Sequence, residues 1–119
     1  MKKVAISLVT ALALFFVSSC RKDSVEVYDC TGLTPTYTTD IKTILDANCA
    51  VSGCHNTSSR ADGKDYSTYS SASSLSRESN FLGSIQHKSG YDAMPRGASK
   101  LSDATIKLIS CWVQNGSPQ

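Results

Sequence analysis

The sequence lacks an excess of charge of either sign. Its 119 residues contain 12 Lys and Arg against 10 Asp and Glu. Without Lys2 and Lys3, which lie in an N-terminal leader, residues 20–119 carry 10 of each and are formally neutral. A nucleic-acid-binding domain needs a clustered basic face, so we expect no nucleic-acid partner.

The sequence also lacks an apolar run long enough to span a membrane comfortably. The longest such run, from Val4 to Val17, follows two lysines and precedes two serines, which is the pattern of a secretory signal. Val17-Ser18-Ser19-Cys20 resembles the lipobox of bacterial lipoproteins, which implies cleavage after residue 19 and a lipid on Cys20. Several acyl chains would anchor the protein stably to a membrane of the bacterial cell envelope. The alternative is an ordinary signal peptide, with Cys20 left as a thiol.

The remaining chain is too short for more than one small domain, and it has no internal repeat. We expect a signal peptide over 1–19, a lipidated tether and arm over 20–37, and a folded domain over 38–119. Domains of this size often need a cross-link or a bound cofactor, because their cores are small.

Hydrophobic periodicity predicts an all-α domain with a loop-rich middle. A helix is expected from Thr39 or Asp40 up to Cys49, and a short one near Tyr66 to Leu75, where apolar residues recur every three positions. Phe81, Leu82 and Ile85 indicate another short helix that ends near His87. Residues 103–115 form the clearest helix, with a Ser102 cap and a stop at Gly116.

Two thiols followed by an imidazole, Cys49-Ala-Val-Ser-Gly-Cys54-His55, form the motif on which the functional argument depends. In the usual C-x-x-C-H signature each thiol adds to a haem vinyl group, and the histidine binds the iron. Here four residues separate the cysteines, as in variant sites of some multihaem c-type cytochromes. Gly53 would help the longer loop to fold tightly.

Other roles for these three residues stay open. Cys49 and Cys54 can form a disulfide with each other or with the remaining cysteines, although a pure disulfide framework gives no reason for His55 to follow directly. A zinc or copper site with His55 and His87 is a further alternative. Zinc sites usually show a second pair of cysteines or histidines at short spacing, which the chain lacks.

Cys30 and Cys111 are interpreted as disulfide partners, with two buried free thiols as the alternative. Cys30 precedes the first predicted helix and Cys111 lies on the last one, so the bridge would tie the two ends of the domain together.

Met94 is the leading candidate for a second axial ligand of the iron, because it stands in a loop and Pro95 stiffens the backbone after it. His87 is the rival ligand. Arg96 and Lys100 flank the loop as candidate partners of the haem propionates. Tyr91 and Trp112 are candidate cavity walls, although Trp112 also fits a core position.

The order of these motifs resembles small class I cytochromes c, and in detail the cytochrome c domains called planctomycete-type. The resemblance covers roughly residues 38–117. It rests on Cys49-x4-Cys54-His55, Met94-Pro95, Leu101-Ser102-Asp103 and Ile109-x-x-Trp112-Val113-x-x-Gly116. It implies a domain in which the first and last helices cross beside one covalently bound haem c.

The resemblance implies an electron carrier and not an enzyme, with Cys49, Cys54, His55 and Met94 holding the haem. Partners would be redox proteins of the cell envelope and the membrane that holds Cys20. The competing hypothesis is a disulfide-stapled envelope lipoprotein that binds another component without a cofactor.

Overall fold

Residues 21–119 are described by a computed structural model of the chain. The signal peptide and the lipid on Cys20 are predictions that lie outside these residues. Within them the structure is helical and has no strand, as the all-α prediction requires. None of the described helices is long and apolar enough to cross a membrane.

The first helical segment begins with a π-helical turn over Tyr37–Ile41 and continues as α1, Lys42–Asn48. Thr36 caps the turn, because its side chain accepts a hydrogen bond from the Thr39 amide. Ile41 and Leu45 are fully buried one turn apart, so this segment presents one apolar face to the core. Asn48 ends α1 immediately before Cys49.

The middle of the chain contains two short helices, α2 over Tyr69–Leu75 and α3 over Phe81–Ile85. A single 3₁₀ turn over Ala61–Gly63 precedes them. Thr68 caps α2 by accepting a hydrogen bond from the Ser71 amide. Tyr66 and Ala72 are buried, which confirms that the three-residue apolar period marks a packed segment and not a disordered one.

The last helix, α4, spans Asp103–Gln114. The Ser102 hydroxyl accepts a hydrogen bond of 3.1 Å from the Thr105 amide, as expected for a helix cap. Ile106, Ile109 and Trp112 are buried along one face. They form the core together with Tyr37, Ile41 and Leu45 from the first helical segment.

The first and last helical segments meet at the π-helical turn, which contacts α4. The Tyr37 ring lies 6.3 Å from the Trp112 ring, centroid to centroid. A disulfide joins Cys30 to Cys111 and holds the arm that precedes the first helix against α4, as predicted. The two ends of the domain are thereby held together, and the middle of the chain encloses a cavity beside them.

Candidate functional site

A cavity of about 540 Å³ opens next to the end of α1. Residues distant in the sequence line it, and they include three of the four predicted haem-binding residues: Cys49, His55 and Met94. Its aromatic and aliphatic wall consists of Tyr66, Phe81, Ile85 and Tyr91. The rest of the lining is largely charged or polar, so the cavity combines an apolar wall with a polar rim.

The segment between Cys49 and His55 folds back on itself, so that the histidine lies beside the first cysteine. The His55 amide donates a hydrogen bond of 3.0 Å to the Cys49 carbonyl, and the Cys54 amide donates one of 3.0 Å to Val51. Gly53 adopts a φ of +80°, a conformation that glycine accepts without strain. The four intervening residues therefore form a compact loop, as predicted from Gly53.

His55 has one ring nitrogen fixed and the other free for a ligand. Nδ1 lies 3.0 Å from the carbonyl oxygen of Ala61, which can only accept a hydrogen bond, so Nδ1 carries the proton. Within residues 21–119 no hydrogen bond engages Nε2. The Tyr66 ring packs edge-on against the imidazole with centroids 5.4 Å apart. A histidine oriented in this way by a carbonyl is typical of metal-binding histidines.

The two cysteines of the motif are free thiols in different environments. Cys49 is half-buried at the cavity wall, and burial, followed by the nearby Cys54, raises the pKa of its thiol to about 11. Cys54 is exposed and does not line the cavity. The structure therefore brings Cys49, His55 and Met94 to one cavity and leaves Cys54 on the adjacent surface. No disulfide joins Cys49 to Cys54.

Met94 is held at the cavity by hydrogen bonds to both its backbone N–H and its backbone C=O. Its amide donates a hydrogen bond of 3.0 Å to Ser84, just inside the end of α3, and its carbonyl accepts one of 3.0 Å from Nε2 of His87. His87 does not line the cavity. Of the two candidate ligands, Met94 therefore lines the cavity, and His87 hydrogen-bonds the Met94 backbone.

Charged side chains surround the cavity. Arg96 lines it and lies 3.8 Å from Asp92, whereas Lys100 pairs with Asp103 at 3.1 Å and does not line it. Of these two residues, only Arg96 lines the cavity. Lys64, another lining residue, bridges Asp62 and Glu78 at 3.3 and 3.2 Å.

Of the two candidate wall aromatics, Tyr91 lines the cavity and Trp112 belongs to the core. Trp112 is fully buried and its indole donates a hydrogen bond of 2.8 Å to Pro118. Gly83 on α3 leaves room for Tyr91, since a Cβ at that position would overlap the tyrosine ring. This role of Gly83 was not predicted from the sequence. The only sequence signal is a glycine inside a helical pattern.

The cavity brings a histidine and a methionine together beside a row of aromatic and aliphatic side chains. Within residues 21–119 there is no group of three or more His, Cys, Asp or Glu side chains that could hold a metal ion.

Comparison with known proteins gave no match to a family model, to a curated protein or to a solved structure.

Proposed function

We propose that the protein is a lipid-anchored monohaem c-type cytochrome that transfers electrons in the bacterial cell envelope. The observation that carries the proposal is the single cavity that brings Cys49, His55 and Met94 together. These residues are separated by up to 45 positions in the sequence, and a haem held in the cavity would use all three.

Covalent attachment would use the two thiols. Each S–H adds across one vinyl C=C bond, so that a C–S bond forms and the thiol hydrogen goes to the other vinyl carbon, and no oxidant is needed. Cys49 is at the cavity wall, and Cys54, which is exposed and outside the cavity lining, would attach from the adjacent surface. Both thiols are free for this reaction, because the structural disulfide uses Cys30 and Cys111.

Nε2 of His55 and the sulfur of Met94 would hold the iron. The Ala61 carbonyl fixes the histidine tautomer that leaves Nε2 unprotonated. Haem bound here would supply an iron that cycles between Fe(III) and Fe(II), and a thioether ligand favours the reduced form. If His55 and Met94 both held the iron, it would offer no open position to a substrate, so we propose an electron carrier and not an enzyme.

The apolar wall would hold the redox centre away from water. Tyr66 and Phe81 are buried, and their ring centroids are 5.7 Å apart. A low dielectric around the iron changes its potential without any change of ligand. Redox proteins of the envelope would exchange electrons at the open side of the cavity through a small, transient interface.

Visible absorption tests the proposal. The mature protein is purified from a host with haem-attachment machinery. Its visible absorption spectrum is recorded before and after addition of dithionite and again after extraction with acid acetone. We expect a Soret band, sharp bands on reduction, and colour that stays with the protein. His55→Ala should lose the reduced six-coordinate spectrum, and His87→Ala serves as the histidine control that keeps the Soret band. A colourless protein beside a matured control cytochrome would overturn the proposal.

The second candidate is a disulfide-stapled binding module, and the Cys30–Cys111 bridge is the observation that favours it. A Cys49→Ser, Cys54→Ser double variant separates the two. If the protein is a module without a cofactor, the variant keeps the fold and the colourless state of its parent.

A further inference from the structure

The chain immediately after Cys20 forms part of the cavity rather than a free tether. Lys22 is one of the lining residues. Its ammonium group donates a hydrogen bond of 2.7 Å to Oδ1 of Asn80 and lies 4.7 Å from the centroid of the Tyr91 ring. Its Cα lies so close to Gly90 that a Cβ added there would come within 2.9 Å of it.

Four further attachments hold the arm along this side of the domain. The Asp23 amide donates to the Ser89 carbonyl at 2.9 Å, and the Ser89 amide donates to the Asp23 carboxylate at 3.3 Å. The side-chain amide of Gln86, which is 6% exposed, binds both the N–H and the C=O of Glu26, at 2.7 and 3.0 Å. The arm is therefore fixed to the segment that carries Tyr91 and Met94.

The distance from Lys22 to Cys20 is limited by covalent geometry. Only Arg21 lies between them, and two residues span at most about 7 Å. If residues 20–37 were instead a flexible coil throughout, the lipid would lie roughly 20 to 25 Å from the domain, in no fixed orientation.

We infer that the cavity mouth beside Lys22 is the surface of the domain that faces the lipid bilayer. The inference rests on the lipid anchor of the proposed function. Acyl chains on Cys20 would insert beside the mouth, and the docked arm would prevent the domain from turning away. The redox centre would then exchange electrons at the membrane surface, with partners that are embedded in it or lie on it.

Two ion-paired lysines of the native chain report this orientation. Lys64 lines the cavity, whereas Lys42 pairs with Asp46 on α1 and lines no part of it. The lipidated protein is bound to vesicles of phosphatidylethanolamine and phosphatidylglycerol, and the acetylation rate of each lysine is followed by mass spectrometry. A Cys20→Ser form, mixed with the same vesicles, gives the unanchored reference rates.

Acetylation of Lys64 should be slowed severalfold on the vesicles, while the rate at Lys42 stays unchanged. A variant with ten Gly and Ser residues inserted between Cys20 and Arg21 should lose the protection, because the linker lets the domain move about 16 to 19 Å from the anchor. Equal slowing of both lysines, no slowing of Lys64, or protection that survives the linker would overturn the inference.

Colour and vesicle binding are scored on the same samples, which separates this inference from the proposed function. A coloured, vesicle-bound protein with unprotected Lys64 refutes only the orientation. A colourless, vesicle-bound protein with protected Lys64 supports the orientation and refutes the cytochrome. A protein that stays in the supernatant lacks the anchor and overturns the inference.

Discussion

Reduction of the Cys30–Cys111 bridge should remove a large part of the stability of the domain. The bridge closes a loop across 81 positions and ties the arm to the fully buried Cys111 on α4. Such a cross-link lowers the entropy of the unfolded chain, and for a loop of this length the chain-entropy model gives about 4.5 kcal/mol. Small domains have only about 5 to 15 kcal/mol in total.

The free energy of unfolding is measured by urea titration of the same protein with and without a phosphine reductant. The expected loss of about 4.5 kcal/mol corresponds to a fall in melting temperature of about 20 to 35 °C for a domain of this size. Free energies and not midpoints should be compared, because the reduced unfolded chain exposes more surface and has a larger urea dependence.

Reduced wild-type protein is a better test than a cysteine variant, since it keeps both sulfur atoms in the core. Cys30→Ala with Cys111→Ala then gives the additional cost of the lost sulfur packing. A change of less than about 1 kcal/mol on reduction would refute the argument that the bridge acts by restricting the unfolded chain.

Three other predictions concern the cavity. His87→Ala removes the hydrogen bond to the Met94 carbonyl. The haem-loaded variant should therefore show a lower midpoint potential and a weaker methionine–iron absorption, at unchanged helicity. An unchanged potential and absorption would contradict a supporting role for His87. Gly83→Ala should lower the free energy of unfolding by about 1 to 3 kcal/mol in urea titration, because the new methyl group overlaps the Tyr91 ring. In a chain that already carries Tyr91→Ala, the same substitution should cost much less. An equal loss with and without Tyr91 would show that the methyl group and the ring do not overlap. Burial raises the pKa of the Cys49 thiol from 9.0 to about 11, so this thiol ionises at lower pH in the unfolded chain than in the folded one. In the haem-free protein its contribution to the free energy of unfolding should therefore be fully present below pH 9. Between pH 9 and 11 the free energy of unfolding should fall by up to about 2.7 kcal/mol. Cys49→Ser should flatten that pH dependence, and a slope that persists in the variant would assign it to another group.

The helices could be predicted from the sequence because their signals are local. The Ser102 cap, the apolar spacing from Ile106 to Trp112 and the stop at Gly116 lie within about fifteen residues, and α4 spans Asp103–Gln114 where 103–115 was expected. The Cys30–Cys111 pairing was also predicted, because the two cysteines lie at opposite ends of the domain.

The contacts that shape the cavity could not be predicted, because they join distant segments through single side chains. Lys22 reaches Asn80 across 58 positions, and Gln86 reaches Glu26 across 60. No periodicity marks such pairs. The arm was accordingly expected to be a tether, whereas its first residues are docked beside the cavity. The position of Cys54 outside the cavity was likewise not evident from the motif alone.

Mass spectrometry of the peptide that contains Cys49 to His55 is the most direct test of covalent haem attachment. The mature protein is digested after the remaining free thiols have been alkylated, and a control cytochrome is matured in the same host. We expect a peptide that carries one haem through Cys49 and Cys54 and takes up no alkylating agent. A peptide of unmodified mass with two alkylated cysteines would contradict this expectation.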